Sequence, residues 1–337
     1  MSVVVAWLQF LACAVLILLA GRQLSRYGDV IAEKTGLGGT WVGLVLLATV
    51  TSLPELITGV SAVLLADAPD IAVGNVLGAN VINLVMIVVL DALARGEPLF
   101  ARAALGHILS AGFGVILAGF VGFNILFAGH AGTPALGHVG LASPIIVVIY
   151  AAAMLMVFRY ERTQRAQFVA EVAERYPHIA LRQAWMRYAL AALVVVAAAL
   201  WLPFAAEALA QAHSLSETFV GTLFVALATT LPEMTVTVTA LRLGAIDMAI
   251  GNLFGSNLFN LAIIAVDDLF YLKGPLLAHV SDLHAVSALS AVMMSGIAIV
   301  GLLYRPRSRL FGTVGWVSLM LLSVYLLNTF FLYLYGG

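Results

Sequence analysis

The sequence is short of charge. Only 10% of its 337 residues are charged, whereas an ordinary soluble domain carries about 25%. Apolar residues make up 63% of the chain, so its polar residues are too few to cover the surface of a soluble fold. This composition excludes a soluble enzyme and a disordered protein, and a net charge of −1 gives no reason to expect a nucleic-acid partner. The single cysteine, Cys13, excludes a disulfide framework and any Cys-based zinc or redox motif.

Long apolar runs are abundant instead. A transmembrane helix needs about 20 mostly apolar residues, and ten segments of the chain meet that requirement. They are residues 4–21, 39–65, 71–94, 103–126, 138–158, 188–211, 217–241, 247–270, 284–304 and 310–334. We therefore predict an all-α polytopic membrane protein with ten transmembrane helices.

Basic residues set the predicted orientation, because they favour the cytoplasmic side of a membrane. Of the 16 Lys and Arg residues, all except Lys273 fall on alternate connections between the predicted spans. This places both termini outside the cell and the longest connection, residues 159–187, in the cytoplasm. We expect the protein in the cell membrane, which is the inner membrane in a bacterium with two.

The chain repeats itself. Residues 42–55 read VGLVLLATVTSLPE and residues 220–233 read VGTLFVALATTLPE, while 70–84 read DIAVGNVLGANVINL and 247–261 read DMAIGNLFGSNLFNL. The first repeat motif spans about residues 39–93 and the second about 217–270, within five-helix halves formed by residues 1–158 and 188–337. Five spans separate the copies, so the second half enters the membrane inverted. Inverted repeats are typical of alternating-access transporters, whose substrate binds near the midplane.

Two carboxylates lie near the middle of predicted spans. Burying Glu55 or Glu233 there costs about 2.5 kcal/mol or more unless the group is paired or solvated, and no Lys or Arg lies in a span core. Their partner is therefore expected to be a bound cation, a proton or water. Pro54 and Pro232 precede them directly, and a mid-helix proline breaks or kinks the helix.

Other oxygen ligands surround these glutamates in the sequence. Calcium takes six to eight oxygen ligands, which two glutamates, two asparagines and carbonyls freed by the prolines can supply. For two of the asparagines, Asn75 and Asn252, a packing role is equally open, whereas Asp267 and Asp268 are expected near the membrane edges. The predicted metal-ligating residues are Glu55, Glu233, Asn83, Asn260, Thr51, Ser52, Thr229, Thr230, Ser256, Asn75 and Asn252.

In these motifs the sequence resembles the sodium/calcium exchanger family of the cation/calcium exchanger superfamily. Residues 51–55 with 74–83, and residues 229–233 with 251–260, carry the resemblance. It implies antiport of Ca²⁺ against Na⁺ through a four-residue centre of Glu55, Asn83, Glu233 and Asn260. It also implies that spans 1 and 6 slide as a gating unit. We expect these ions as substrates, with no cofactor and no enzymatic activity.

Two departures from the family pattern keep alternatives open. Ala79 stands where family members have a serine that binds sodium, so coupling to H⁺, or transport of another divalent ion such as Mg²⁺ or Mn²⁺, remains an alternative. Asn260 stands where many members have aspartate, which argues against potassium co-transport. An ion channel of the same architecture is a less favoured alternative, and the sequence does not indicate an oligomeric state.

Overall fold

The computed structural model describes residues 3–94, 97–128, 134–167, 175–212, 229–310 and 313–335. Helices dominate these residues, together with a two-stranded antiparallel sheet, Ala135–Leu136 with Val139–Gly140. The helices are α1 (Val3–Thr35), α2 (Gly39–Trp41), a π-helix (Val42–Leu47), α3 (Ala48–Thr51), α4 (Leu53–Leu64), α5 (Pro69–Leu93), α6 (Leu99–Arg102), α7 (His107–Ala128), α8 (Ala142–Gln167), α9 (Leu181–Ala212), α10 (Leu231–Arg242), α11 (Ile246–Phe270), a 3₁₀-helix (Leu276–Ala278), α12 (His284–Tyr304) and α13 (Trp316–Tyr335).

Eight of these helices are long and apolar enough to cross a membrane. They are α1, α5, α7, α8, α9, α11, α12 and α13. A bent pair of helical segments, Gly39–Thr51 and Leu53–Leu64, makes a ninth span if the pair is counted as one. The predicted seventh span, 217–241, begins outside the described residues, and α10 is its described end. The described residues confirm a mostly helical membrane fold, and the count of ten spans stays a prediction.

Several helices run beyond the apolar segments. Helix α1 continues to Thr35 and stops before Gly36, whose φ of 67° is the left-handed conformation typical of a helix end. Helix α8 continues to Gln167 and α9 begins at Leu181, so helix occupies both ends of the predicted linker 159–187. Apolarity marks where lipid ends, whereas Arg, Glu and Gln remain good helix formers in water.

The predicted break at the proline is present in both copies of the motif. Helix α3 ends at Thr51, Ser52 lies in a turn, and α4 begins at Leu53 with a bend of 42°. In the second copy, α10 begins at Leu231 with Pro232 in its first turn. Proline is tolerated in the first turn because the N–H that it lacks would have no partner in the helix. Each copy thus starts a new half-helix two residues before its glutamate.

The described chain divides into two compact units. The first contains residues 1–54 and 165–252, and in it α1 packs along α9 and α10. Ser25 on α1 donates a hydrogen bond from Oγ to the Val236 carbonyl of α10 at 2.9 Å. Cys13 is a free, buried thiol that packs with Ile17 and Ala199, so it serves as a small apolar side chain.

The second unit contains residues 55–164 and 253–337, and it holds two buried aspartates with matching partners. Asp91, near the end of α5, accepts hydrogen bonds from the Leu99 N–H at 3.1 Å, the Gly315 N–H at 2.8 Å and the Ser318 hydroxyl at 2.7 Å. Gly315 and Ser318 begin α13. The carboxylate therefore lies at the positive end of that helix, where its charge is stabilised.

Asp268, on α11, repeats this arrangement. It accepts hydrogen bonds from the Leu276 N–H at 2.6 Å, the Gly140 N–H at 2.8 Å and the Ser143 hydroxyl. Gly140 and Ser143 lie at the start of α8. Asp91 and Asp268 are 177 residues apart, the same shift as the second part of the sequence repeat.

The two contacts are reciprocal. An aspartate of the first half binds the start of the last helix of the second half, and an aspartate of the second half binds the start of the last helix of the first. A pseudo-two-fold relation between the halves produces such an exchange. The sequence repeat is therefore matched by a repeat of long-range contacts.

We expect Asp91→Ala and Asp268→Ala each to lower the free energy of unfolding by about 3 kcal/mol or more. Each substitution leaves two backbone N–H groups and one hydroxyl without their acceptor, and each unmet buried group costs about 1–3 kcal/mol. Thermal unfolding of the purified protein in detergent measures the effect. Asp282→Ala is the matched control because Asp282 is exposed. Unchanged melting of both aspartate variants would show that these contacts do not stabilise the fold.

Candidate functional site

Glu233 lies in the first turn of α10, in the first unit. The Ser52 hydroxyl donates a hydrogen bond to Glu233 Oε1 at 3.2 Å, and the Thr51 side chain bonds the same carboxylate. All three residues are buried. Thr51 and Ser52 belong to the first copy of the motif and Glu233 to the second. The structure thus brings the two copies together at one carboxylate.

Thr229 and Thr230 immediately precede this half-helix. Both are buried, and Thr230 is the N-cap residue of α10, with its carbonyl accepting the Met234 N–H at 3.1 Å. Their hydroxyls therefore lie within one turn of Glu233 along the chain. That the carbonyls of Thr51 and Thr229 bind a cation stays a prediction.

Glu55 occupies the equivalent place in the second unit. It lies in the first turn of α4, directly after Pro54, and it is fully buried. The first turn of a helix exposes backbone N–H groups and carries a partial positive charge, which favours a carboxylate there. Both glutamates of the repeat are thus placed at the positive ends of half-helices. That arrangement lowers the cost of keeping each carboxylate ionised inside the membrane.

Asn83 and Asn260 are buried amides, on α5 and α11. Among the described residues, Oδ1 of Asn83 and both polar side-chain atoms of Asn260 have no hydrogen-bond partner. A buried amide without a partner costs about 1–3 kcal/mol, so a ligand or water is expected to satisfy it. Amide oxygens suit hard cations such as Ca²⁺. That these two residues surround one cation together with Glu55 and Glu233 stays a prediction.

A second pair of asparagines was not assigned a role from the sequence. Asn257 on α11 donates a hydrogen bond from Nδ2 to the Asn80 carbonyl of α5 at 3.3 Å. Both are buried and occupy equivalent positions in the two copies. The Asn80 amide and Asn257 Oδ1 have no partner within the described ranges. Their recurrence in both copies was the available signal, and they now join the candidate ligands.

The remaining predicted ligands lie on the same two helices, α5 and α11. Asn252 donates a hydrogen bond from Nδ2 to the Thr237 hydroxyl at 2.9 Å, so it ties α11 to α10 and leaves Oδ1 for another donor or a cation. Its counterpart Asn75 is half-buried, with no partner for Nδ2 in the described part of the chain. Ser256 is buried, whereas the equivalent Ala79 is buried without a hydroxyl.

These donors define the chemistry that the site can perform. The described residues contain no group of three or more His, Cys, Asp or Glu side chains that could hold a metal ion. Any cation site in them has at most two such side chains and must complete its shell with neutral hydroxyl, amide or carbonyl oxygens. Such oxygen ligands favour hard cations over transition metals.

Asp267 is a buried carboxylate that does not belong to the repeat motif. Its side chain is fully buried near the end of α11, and its expected place near a membrane edge stays a prediction. Neither oxygen has a hydrogen-bond partner among the described residues. The carboxylate packs against the Cα of Gly59 on α4, so closely that a Cβ there would lie 2.5 Å from Oδ2. A carboxylate in this setting must be neutral or bind a cation, because burial removes its solvation.

The surroundings of Asp267 also break the symmetry of the repeat. Gly59 is the counterpart of Thr237, and Leu90 is the counterpart of Asp267. The first copy therefore lacks the side chain that bonds Asn252 in the second copy. The space that this leaves beside Gly59 is filled by the carboxylate of Asp267.

Comparison with known proteins places this geometry in a family. The profile of the family described as sodium/calcium exchanger protein matches residues 5–166 and 184–334. The inner membrane protein YrbG of Escherichia coli K12 is 25% identical over 256 residues, which are 74% of each chain. The sodium/calcium exchanger MaX1 of Methanosarcina acetivorans is 43% identical over 63 residues, which are 18% of each chain.

The fold has a close match among solved structures. The sodium-calcium exchanger NCX_Mj aligns with a TM-score of 0.75 over 98% of both chains, at 18% sequence identity. At that identity the match supports the fold alone. The profile match is independent of it and runs through both halves of the chain. The protein belongs to the sodium/calcium exchanger family.

Proposed function

We propose that the protein is a secondary active antiporter that moves Ca²⁺ out of the cell in exchange for Na⁺. The observation that carries the proposal is the contact of Ser52 with Glu233, in which hydroxyl and carboxylate from opposite copies of the motif meet inside the protein. The names of the related proteins MaX1 and NCX_Mj, both sodium/calcium exchangers, agree with these ions.

Charge balance supports an exchange of these two ions. Glu55 and Glu233 together carry two negative charges, which one Ca²⁺ or two Na⁺ ions neutralise. An empty, ionised site inside the membrane is costly, so release of one cation is favoured by the arrival of its competitor. Competition for the same carboxylates thereby couples the two fluxes.

Neutral oxygens complete the proposed site. In this proposal Asn83 and Asn260 supply amide oxygens to the ion, and the second repeat retains the Ser256 hydroxyl. The further candidate ligands are Thr51, Ser52, Thr229, Thr230, Asn75 and Asn252. Calcium needs six to eight oxygens, and this set provides them without a resident cofactor.

Alternating access follows from the inverted repeats in this proposal. Two halves of opposite orientation have two equivalent arrangements, one open to each side of the membrane. The breaks before Leu53 and Leu231 give each half a half-helix end at the site. The positive-inside distribution of Arg and Lys orients the proposed transporter with both termini outside.

We expect Glu55→Gln and Glu233→Gln to abolish Na⁺-driven Ca²⁺ flux. Each substitution removes one of the two charges that hold a divalent ion but keeps nearly the same side-chain volume. The assay is Ca²⁺ efflux from loaded proteoliposomes after Na⁺ is added outside. Glu97→Gln is the matched control because Glu97 is exposed in a connection.

Two outcomes of this assay would contradict the proposal. Wild-type flux in both glutamate variants would remove the proposed site. Ca²⁺ flux in the wild-type protein that ignores Na⁺ and needs no counter-ion would indicate a channel. The same vesicles loaded with Mg²⁺ or Mn²⁺ test the choice of divalent cation.

A second candidate function, coupling to H⁺ instead of Na⁺, is favoured by two observations. Ala79 lacks the hydroxyl that the equivalent Ser256 retains, which removes an oxygen ligand for Na⁺. Asp267 adds a buried carboxylate that has no protein partner in the described residues and can take up a proton. An H⁺-coupled exchanger needs no hydroxyl at Ala79 and could carry its proton on Asp267. A Na⁺-coupled exchanger would gain from the hydroxyl and would not need the Asp267 carboxylate.

We expect Asp267→Asn to separate the two couplings. If Na⁺ is the counter-ion, the variant keeps Na⁺-driven Ca²⁺ flux, because asparagine replaces the neutral acid at equal volume. If H⁺ is the counter-ion, Ca²⁺ flux driven by a pH gradient falls at least ten-fold. Measuring both fluxes in the same vesicles, with Asp282→Asn as control, decides between them. If the variant loses the pH-driven Ca²⁺ flux and keeps all other behaviour, Na⁺ coupling is contradicted.

A further inference from the structure

A cavity of about 930 Å³ lies in the first unit, between α1 and α9. Its lining includes Arg22, Arg26 and Arg187 together with apolar side chains such as Leu190 and Val194. The helices run in opposite directions along it, so both place arginine at the same end. We call this cavity the arginine groove.

Within the described part of the chain, no carboxylate balances the charge of the arginine groove. No carboxylate of the described residues lies within 4.0 Å of Arg22, Arg26 or Arg187. Asp29, the next acid along α1, is taken by Arg175 at 3.5 Å and by the Tyr176 hydroxyl at 2.7 Å. Like charges in one groove repel each other, and an anion would relieve that repulsion.

Tyr27 organises two of the three arginines. Arg187 donates a hydrogen bond to the Tyr27 hydroxyl at 2.5 Å and lies 5.5 Å from its ring centre, while Arg26 lies 6.0 Å from the same ring. Fixed guanidinium groups bind phosphate oxygens well, because their N–H groups match the geometry of the anion.

The apolar half of the groove indicates what kind of anion fits. Leu190 and Val194 lie one and two turns deeper along α9 than Arg187, and both are exposed on the described surface. From Arg187 to Val194 the helix rises about 10 Å. Charge at one end and apolar surface at the other match a lipid with its headgroup at the membrane surface and its chain in the bilayer.

We propose that the arginine groove binds an anionic phospholipid, with the phosphate on Arg22, Arg26 and Arg187 and an acyl chain along Leu190 and Val194. Basic pockets between transmembrane helices on the cytoplasmic side are suited to such headgroups. The arginines lie at the end of α1 and α9 that the basic residues predict to be cytoplasmic. A bound lipid would hold these two helices together.

The test uses the full-length protein in an uncharged detergent. Dioleoyl phosphatidylglycerol is titrated while bound lipid is counted by native mass spectrometry and the melting temperature is recorded. We expect saturable binding and a rise in melting temperature. Dioleoyl phosphatidylcholine, which has the same chains but no net charge, should bind at least ten-fold more weakly.

Variants identify the groove as the site. Arg22→Gln with Arg26→Gln should weaken phosphatidylglycerol binding at least ten-fold, whereas Arg182→Gln with Arg307→Gln, an equal loss of charge on exposed residues, should leave it unchanged. Val194→Trp should also weaken it by filling the apolar half while the arginines remain. Because all these positions are exposed, the variants are expected to fold.

Three results would overturn the proposal. Equal binding by the wild-type protein and the Arg22/Arg26 double variant would remove the groove as the site. Equal binding of phosphatidylcholine would show that charge does not select the ligand. An equal rise in melting temperature with inorganic sodium phosphate alone would identify a simple anion site that has no need of a lipid chain.

Discussion

The cost of burying a carboxylate in a membrane protein is the constraint on which the rest of this structure depends. An ionised group inside the bilayer needs a partner, and the acidic residues differ in how far the protein supplies one. Asp91 and Asp268 each accept three hydrogen bonds from fixed donors, so they are structural. Glu233 is bonded by the Ser52 and Thr51 side chains of the other copy, and Asp267 bonds no described residue. A buried carboxylate with fewer hydrogen-bond partners from the protein is better able to bind a cation or a proton.

Duplication explains why the same chemistry appears twice. Each half breaks a helix at a Leu-Pro-Glu sequence and uses an aspartate to hold the start of a helix from the other half. These reciprocal contacts tie each half to the other, so a substitution in one half must remain compatible with its partner residue in the other half. The places where symmetry fails are therefore informative. Gly59 stands where the second copy has Thr237, and the carboxylate of Asp267 fills the space beside Gly59. Ala79 lacks the hydroxyl of Ser256.

The sequence predicted features that depend on local chemistry or on repetition. The helix break follows from Pro54 itself, and the positions of the apolar helices follow from composition. Helix ends were harder to predict from the sequence, because α1 continues beyond its apolar segment for as long as its residues favour helix. Contacts between distant residues were not accessible: the acceptors for Gly315 and Gly140 lie 224 and 128 residues away. Nothing in the sequence distinguishes Asp267 from its neighbour Asp268. Asp268 accepts hydrogen bonds at the start of α8, whereas Asp267 points another way and has no partner among the described residues.

The cationic residues complete this division of labour. Every arginine lies outside the ten predicted apolar spans, where its long side chain reaches water or lipid phosphate. An arginine beside Glu55 or Glu233 would neutralise the carboxylate that binds the cation in our proposal. A transporter of cations therefore has to keep its fixed positive charge away from its carboxylates, and the separation along α1 and α10 achieves this. The arginine groove and the glutamates of the repeat follow from one requirement: the arginines lie outside the apolar spans that hold Glu55 and Glu233.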